Sequence, residues 1–318
     1  MSDPSRLVNA LTAYWQSAML VAAIDLGVFD AVAHGARTRG ALARACRADA
    51  GAIGRLCDAL VADGWLRRVG GKYRLTAASA PLGDRDGASH LAGLRHFYNA
   101  PPLSTGFASL ATTVRRGNAR QSAVNWARFA DTLLPLRRTV AAPLAELLHT
   151  RGLGRGRILD VGAGASPLGI ALLRRQRTAT LTALDDAAVL RVARRHARAA
   201  GVSSRLTTVA GHALSVAWPQ SDLVVMMNVL DYFTAADQVA LLRKARQALS
   251  SGGVLAIVAP LLNEQRRSPE HAVAYDLMLL AIGGGAASTV SELRMRLRTA
   301  GFRRATWLGD ADVMLAFA

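Results

Sequence analysis

The 318-residue sequence predicts an α/β protein, with a helical, winged-helix-like N-terminal domain followed by a doubly wound, mostly parallel sheet. Three observations carry that expectation. Residues 7–62 hold apolar side chains at helical spacing and are followed by two short β-rich runs around Gly70-Gly71. Residues 88–149 read as helical throughout, broken at Pro101-Pro102, which cannot continue a helix. From Arg157 onward apolar strand-like runs alternate with helical ones, the order that a parallel sheet with crossover helices requires.

Element by element, helices are expected over 7–19, 21–32, 38–46 and 49–62, the last with Ile53, Leu56, Leu60 and Val61 at helical spacing. Strands at 65–69 and 72–75 close this part as a hairpin. In the C-terminal part, strands are expected at 158–162, 179–184, 206–210, 223–229 and 254–260. Helices are expected at 167–175, 187–200, 234–249, 272–282 and 289–300. Thr234 with Asp237, and Thr289 with Glu292, form the cap pairs that open two of these helices. Runs at 303–308 and 313–317 end the sheet as a hairpin with an antiparallel strand. The implied domains are 1–86, 87–150 and 151–318.

Composition narrows the class. With 51% hydrophobic residues the chain is not a disordered one. Uninterrupted apolar runs such as 255–262 fall short of the roughly 20 residues that span a bilayer, and residues 1–6 do not resemble a signal peptide. Cys46 and Cys57 are too few for a disulfide framework or a metal cluster, so the expectation is a cytoplasmic protein with no metal and no membrane partner. The net charge of +17 raises the question of nucleic acid. Lys72 and Lys244 are the only lysines, however, and the arginines are scattered in pairs. Helix 49–62 carries Arg55 against Asp49 and Asp58, which argues against reading base edges.

The strongest chemical signal is the run Arg157-Ile158-Leu159-Asp160-Val161-Gly162-Ala163-Gly164, followed by a helix from Pro167. Glycines at a strand-to-helix turn let backbone approach a ligand, and the helix start offers unpaired N–H groups. Asp185-Asp186 ends the next strand about 25 residues on, where a carboxylate can accept from ribose hydroxyls. Acidic Asp160 suits a nucleoside with a positive sulfonium or ammonium group better than a pyrophosphate. A purely structural turn would use the same glycines.

Asp160-Val161-Gly162-Ala163-Gly164 resembles the first motif of class I S-adenosylmethionine-dependent methyltransferases. Leu20 to Asp30, Leu60 to Leu66 and Leu75-Thr76 resemble the dimerisation domain of one branch, the small-molecule O-methyltransferases of the acetylserotonin and caffeate type. The resemblance runs from about residue 7 to the end. It implies a Rossmann-like catalytic domain, S-adenosylmethionine (SAM) as cofactor, a homodimer and a small aromatic acceptor from secondary metabolism. It places Asp160, Gly162, Gly164, Asp185 and Asp186 on the cofactor. Gly211 and His212 stand where the family has Gly-Asp, and Met226, Met227 and Asn228 flank the cofactor.

The chain departs from the family at the general base. Where members carry His-x-Trp, this sequence has Asp231, Tyr232 and Phe233. A buried carboxylate can serve as base if its pKa rises, and His271 ahead of a later helix is a second candidate. Trp126, Phe129, Tyr98, Tyr275 and Met278 are candidate acceptor contacts. The substitution leaves O-, C- and N-methylation open. It also leaves open a SAM-binding relative that hydroxylates, decarboxylates or cyclises and, further off, a winged-helix DNA-binding regulator.

Overall fold

The computed structural model describes residues 3–83, 90–117 and 124–317, so the expected boundary between 86 and 87 lies outside the described residues. Contacts divide the chain into two units, Met1–Asn99 and Ala100–Ala318.

The first unit opens with α1 (Pro4–Asp25), started by Pro4 and by Asp3, whose carboxylate accepts from the Ser5 N–H at 3.0 Å. It runs through residue 20, where a break was expected, because nothing there opposes a helix. The break falls at Gly27, which takes φ +71°. Helices α2 (Val28–Ala33), α3 (Arg39–Cys46) and α4 (Ala50–Ala62) follow, the last two capped by the side chains of Thr38 and Asp49. Strands β1 (Leu66–Val69) and β2 (Lys72–Leu75) pair antiparallel, with Leu66 opposite Leu75, and α5 (Arg95–Tyr98) completes the unit. Phe29, Leu42, Ile53, Leu60 and Tyr73 form its core. Helix α1 contributes one fully buried residue, Ala23, while Leu7, Leu11, Tyr14 and Trp15 are each at least 60% exposed. By length and composition alone, α1 is apolar enough to cross a membrane, which counting uninterrupted apolar residues missed.

The second unit starts with α6 (Leu103–Ala108), α7 (Leu110–Arg116) and α8 (Trp126–Thr150), which carries Pro135 and Pro143 in its interior. Then come β3 (Arg157–Val161), α9 (Pro167–Arg175), β4 (Thr180–Asp185), α10 (Ala187–Ala199), β5 (Leu206–Ala210), β6 (Ser221–Met227) and α11 (Ala235–Ala248). The chain ends with β7 (Leu249–Val258), α12 (Glu270–Ile282), α13 (Val290–Thr299), β8 (Arg304–Leu308) and β9 (Val313–Phe317). Thr289 and Glu292 make both bonds of the capping box.

The seven strands lie in the order β5-β4-β3-β6-β7-β9-β8. All pairs are parallel until β9, which runs antiparallel to both β7 and β8. Strand alternation sends Ile158, Val225 and Met227 to one core, beneath Leu144 and Leu148 of α8. Leu159, Val224 and Met226 point to the other, beneath Leu241 and Leu242 of α11 and Leu293 and Leu297 of α13.

Most element ends shift by a residue or two from expectation, and two of the shifts have a visible cause. Strand β6 ends at Met227, two residues early, because Asn228 turns the chain at φ +51°, a conformation asparagine tolerates. Strand β7 begins at Leu249, five residues early, and absorbs Gly252 and Gly253 through a register shift opposite Ser221.

Helix α12 packs on α6 at Gly106, where a Cβ would lie 2.3 Å from the Ala281 carbonyl oxygen. Alanine is the better helix former by about 1 kcal/mol, yet Gly106→Ala should lower the melting temperature, because backbone crowding costs about 1–3 kcal/mol. A rise in melting temperature would mean that α6 and α12 do not meet there.

Candidate active site

A cavity of about 290 Å³ opens at the C-terminal ends of β3, β4 and β6, where a doubly wound sheet places its ligand. Its floor is the turn after β3. The N–H groups of Gly162 and Ala163 donate to the Leu184 carbonyl at 2.9 and 3.1 Å, and the Gly164 N–H donates to Asp185 Oδ2 at 2.8 Å. The other oxygen of Asp185 accepts from the Asp186 N–H at 2.7 Å. Gly162, at φ +62°, must be glycine, since a Cβ would sit 2.3 Å from Cγ2 of Val229.

Asp160 is buried and accepts a 2.5 Å hydrogen bond from Ser166, itself held at φ +52°. Burial pushes the Asp160 carboxyl up to about 7 against the pull of the Ser166 bond, and nearby Asp185 adds to the rise. Burial also raises Asp185, opposed by its bonds from Gly164 and Asp186.

On the next wall the Gly211 N–H, at φ +144°, donates to the Asp185 carbonyl at 3.0 Å, and the His212 ring lies 5.7 Å from that of Phe233. Met227 and Asn228 line the cavity; Met226 does not, being on the opposite face of β6. Asn228 is fixed by its N–H to the Val258 carbonyl at 2.8 Å, and its Oδ1 accepts from Arg137 at 2.9 Å. The far wall is aromatic: Trp126 meets Phe129 and Tyr232 edge to face at 5.3 and 5.1 Å between ring centres.

The remaining candidates lie outside the lining. Asp231 is 1% exposed, directly before cavity-lining Tyr232, and its Oδ2 has no hydrogen-bond partner among the described residues. Burial pushes it up to about 7, with Arg296 opposing and Asp276 adding. Gly285 lets a loop close over it, since a Cβ there would be 2.4 Å from the Asp231 carbonyl oxygen. His271 is largely exposed and faces Asp312 at 3.5 Å. Tyr275 and Met278 sit on α12, and burial drives the Tyr275 hydroxyl well above its usual range. Tyr98 belongs to the first unit and is half exposed. Sequence reasoning missed Arg137, which no motif marks. It also passed over Ser166, whose place between two glycines and a helix-starting proline was the available signal.

The residues present fit SAM: buried acid at Asp160, a glycine turn with no room for a side chain at Gly162, and Asp185 at the second strand end. Residues 126–303 match the O-methyltransferase domain model, and residues 8–82 match the O-methyltransferase dimerisation domain model. The 2,7-dihydroxy-5-methyl-1-naphthoate 7-O-methyltransferase of Streptomyces carzinostaticus is 30% identical, over 85% of this chain and 84% of its own. Mouse acetylserotonin O-methyltransferase is 27% identical, over 95% and 84%. The crystal structure of a candidate O-methyltransferase from Nostoc punctiforme superimposes with a TM-score of 0.91 at 30% identity, covering all of both chains.

The fold and site are those of a SAM-dependent methyltransferase. The chain belongs to the O-methyltransferase family, with that family's dimerisation domain ahead of its catalytic domain. Methyl transfer, rather than hydroxylation, decarboxylation, cyclisation or DNA regulation, is the activity that membership carries.

Asp160 and Asp231 also set a pH dependence for the unliganded protein. Each folded-state pKa, near 7, lies above the unfolded value near 4, so the fold holds protons that the unfolded chain has released. Their favourable contribution is fully present below about pH 4 and is lost as the pH rises to about 7. Denaturant midpoints should therefore fall over that window, and Asp231→Asn should flatten the fall; an unchanged slope would show that Asp231 does not hold a proton near neutrality.

Proposed function

We propose that the protein methylates a hydroxyl oxygen on a small aromatic acceptor of the secondary-metabolite type, with Asp231 as the base, and that it works as a homodimer. The reading is carried by one observation: a buried carboxyl with an unpartnered oxygen adjoins Tyr232, at the edge of an aromatic wall opposite the acidic glycine turn. The family membership supports the oxygen nucleophile, and the naphthoate acted on by the Streptomyces relative is an aromatic of suitable size.

In this reading Asp160, Gly162, Gly164, Asp185 and Asp186 hold SAM, with Gly211, His212, Met227 and Asn228 completing its enclosure. When bound, SAM supplies an electrophilic methyl group on a positively charged sulfur. The carboxyl of Asp160, close to half-ionised at neutral pH, offers a counter-charge to that cation at the cavity floor. Trp126, Phe129 and Tyr232 stack against the acceptor ring and exclude water, which favours a transfer in which charge is neutralised. Asp231 takes the hydroxyl proton onto its carboxylate. Its raised pKa makes it a far better base than an ordinary aspartate. The exposure of His271 leaves it unsupported as the base. Tyr275 and Met278 on α12, and Tyr98 in the first unit, remain proposed acceptor contacts. The proposed division of labour assigns 1–86 to dimerisation, 87–150 to the acceptor side and 151–318 to the cofactor.

Two measurements test this. Calorimetric titration with SAM and a methyl-transfer assay over hydroxylated aromatics should give binding and a kcat that rises with pH through about 7. In Asp231→Asn that rise should vanish and kcat should fall by about 10²–10⁴-fold; an unaltered pH profile would remove Asp231 from the proton transfer. For the dimer, the uncovered side chains of α1 are the surface a second copy would bury, and this helix lies within the matched dimerisation domain. Leu11→Asp with Trp15→Asp should shift the sedimenting species from dimer to monomer, and a dimer that survives both changes would place the interface elsewhere.

A further inference from the structure

Charge is distributed unevenly around the cavity. Three carboxylates, Asp160, Asp185 and Asp186, stand on the β3–β4 side, where the sulfonium, ammonium and ribose of the cofactor find their complements. Among the described lining residues one guanidinium, Arg137, stands on the other side. The Asp231 base does not account for it, and neither does the aromatic wall.

Arg137 projects from α8, and its Nη1 donates to the neutral amide oxygen of Asn228 at 2.9 Å. Its guanidinium carbon lies 5.7 Å from the Phe129 ring centre, so the plane is steadied by an aromatic face. No carboxylate among the described residues is within ion-pair distance of it. Asn228 is itself locked by a left-handed backbone and by its bond to Val258. The result is a positioned fork of N–H donors with a single neutral acceptor, in a cavity otherwise supplied with negative charge. A guanidinium offers paired donors matched to a planar carboxylate, which a lysine would not. Arg137 also counteracts the raised pKa of Tyr275, which sets its charge on the Asp231–Tyr275 side, where the acceptor is placed.

We propose that Arg137 receives a carboxylate carried by the aromatic acceptor, so that the enzyme selects acidic aromatics over their neutral counterparts. This rests on the proposed methyl transfer to an aromatic in this cavity. The same guanidinium could serve a carboxylate from another source, the amino-acid end of the cofactor, and the test separates the two.

Binding of 1-naphthoate and of methyl 1-naphthoate to the full-length protein, followed by quenching of Trp126 fluorescence, needs neither turnover nor SAM. The wild type should bind the acid at least tenfold more tightly than the ester. Arg137→Met should abolish that preference by weakening the acid alone, Arg137→Lys should keep part of it, and Arg138→Met, one residue along on the exposed side, should leave it intact. If Arg137→Met does not fold, Arg137→Gln, neutral but still able to bond Asn228, gives the same comparison. Equal affinity for acid and ester in the wild type, or a preference that survives the loss of Arg137, overturns the proposal. Calorimetry with SAM completes the separation. If Arg137→Met weakens SAM while the acid preference persists, the guanidinium serves the cofactor and the proposal fails. A wild type that binds no SAM strikes instead at the methyl-transfer reading, while the fluorescence comparison still decides the role of Arg137.

Discussion

The carboxylate of Asp185 is the tie on which the site depends. One oxygen holds the Gly164 N–H and the other the Asp186 N–H, while its own carbonyl accepts from Gly211. Three loops, each leaving a different parallel strand, are thereby fastened to one residue at the end of β4. The Leu184 carbonyl adds Gly162 and Ala163 to the same anchor. An unfastened glycine turn would sample many conformations, because glycine loses more freedom on ordering than any other residue. The tie therefore offsets the entropy that close backbone approach to a ligand would otherwise cost.

Around that anchor the chain separates two kinds of polarity. Acidic groups gather where the sheet ends, two of them buried enough to titrate near neutrality or to shift toward it. The single lining guanidinium and the aromatic rings come from α8 and from the turn after β6. Neither element belongs to the glycine turn, but Ala130 of α8 packs against Ala165 within it, and Arg137 of α8 bonds Asn228 after β6.

Much of this was legible in the sequence because short-range rules govern it. The capping pairs at Thr234 and Thr289, the proline that starts α9 and the spacing from the glycine turn to Asp185 are local signals, and the elements formed where they pointed. What was not legible depended on long-range packing. Whether Met226 or Met227 faces the cavity is a matter of strand parity, which one misplaced strand end reverses. Asn228 ended β6 early because its left-handed turn is completed by Val258, 30 residues away. The identity of Asp231 was visible, but its burial under the loop at Gly285 was not. Arg137 lies in a helix whose pattern marks only which face is apolar, so no local rule singles it out.

The order of strands at the far edge of the sheet has a bearing on biogenesis. Strand β8 precedes β9 in the chain, but its one partner in the sheet is β9, which in turn occupies the free side of β7. While the ribosome is still adding residues 313–317, the completed β7 has a bare edge and β8 has nothing to pair with. Strand β9 must therefore enter between two segments already made. Until then an apolar strand edge stays open to other chains. Strand β9 is thus the wedge that covers the open side of β7 and gives β8 its place in the sheet.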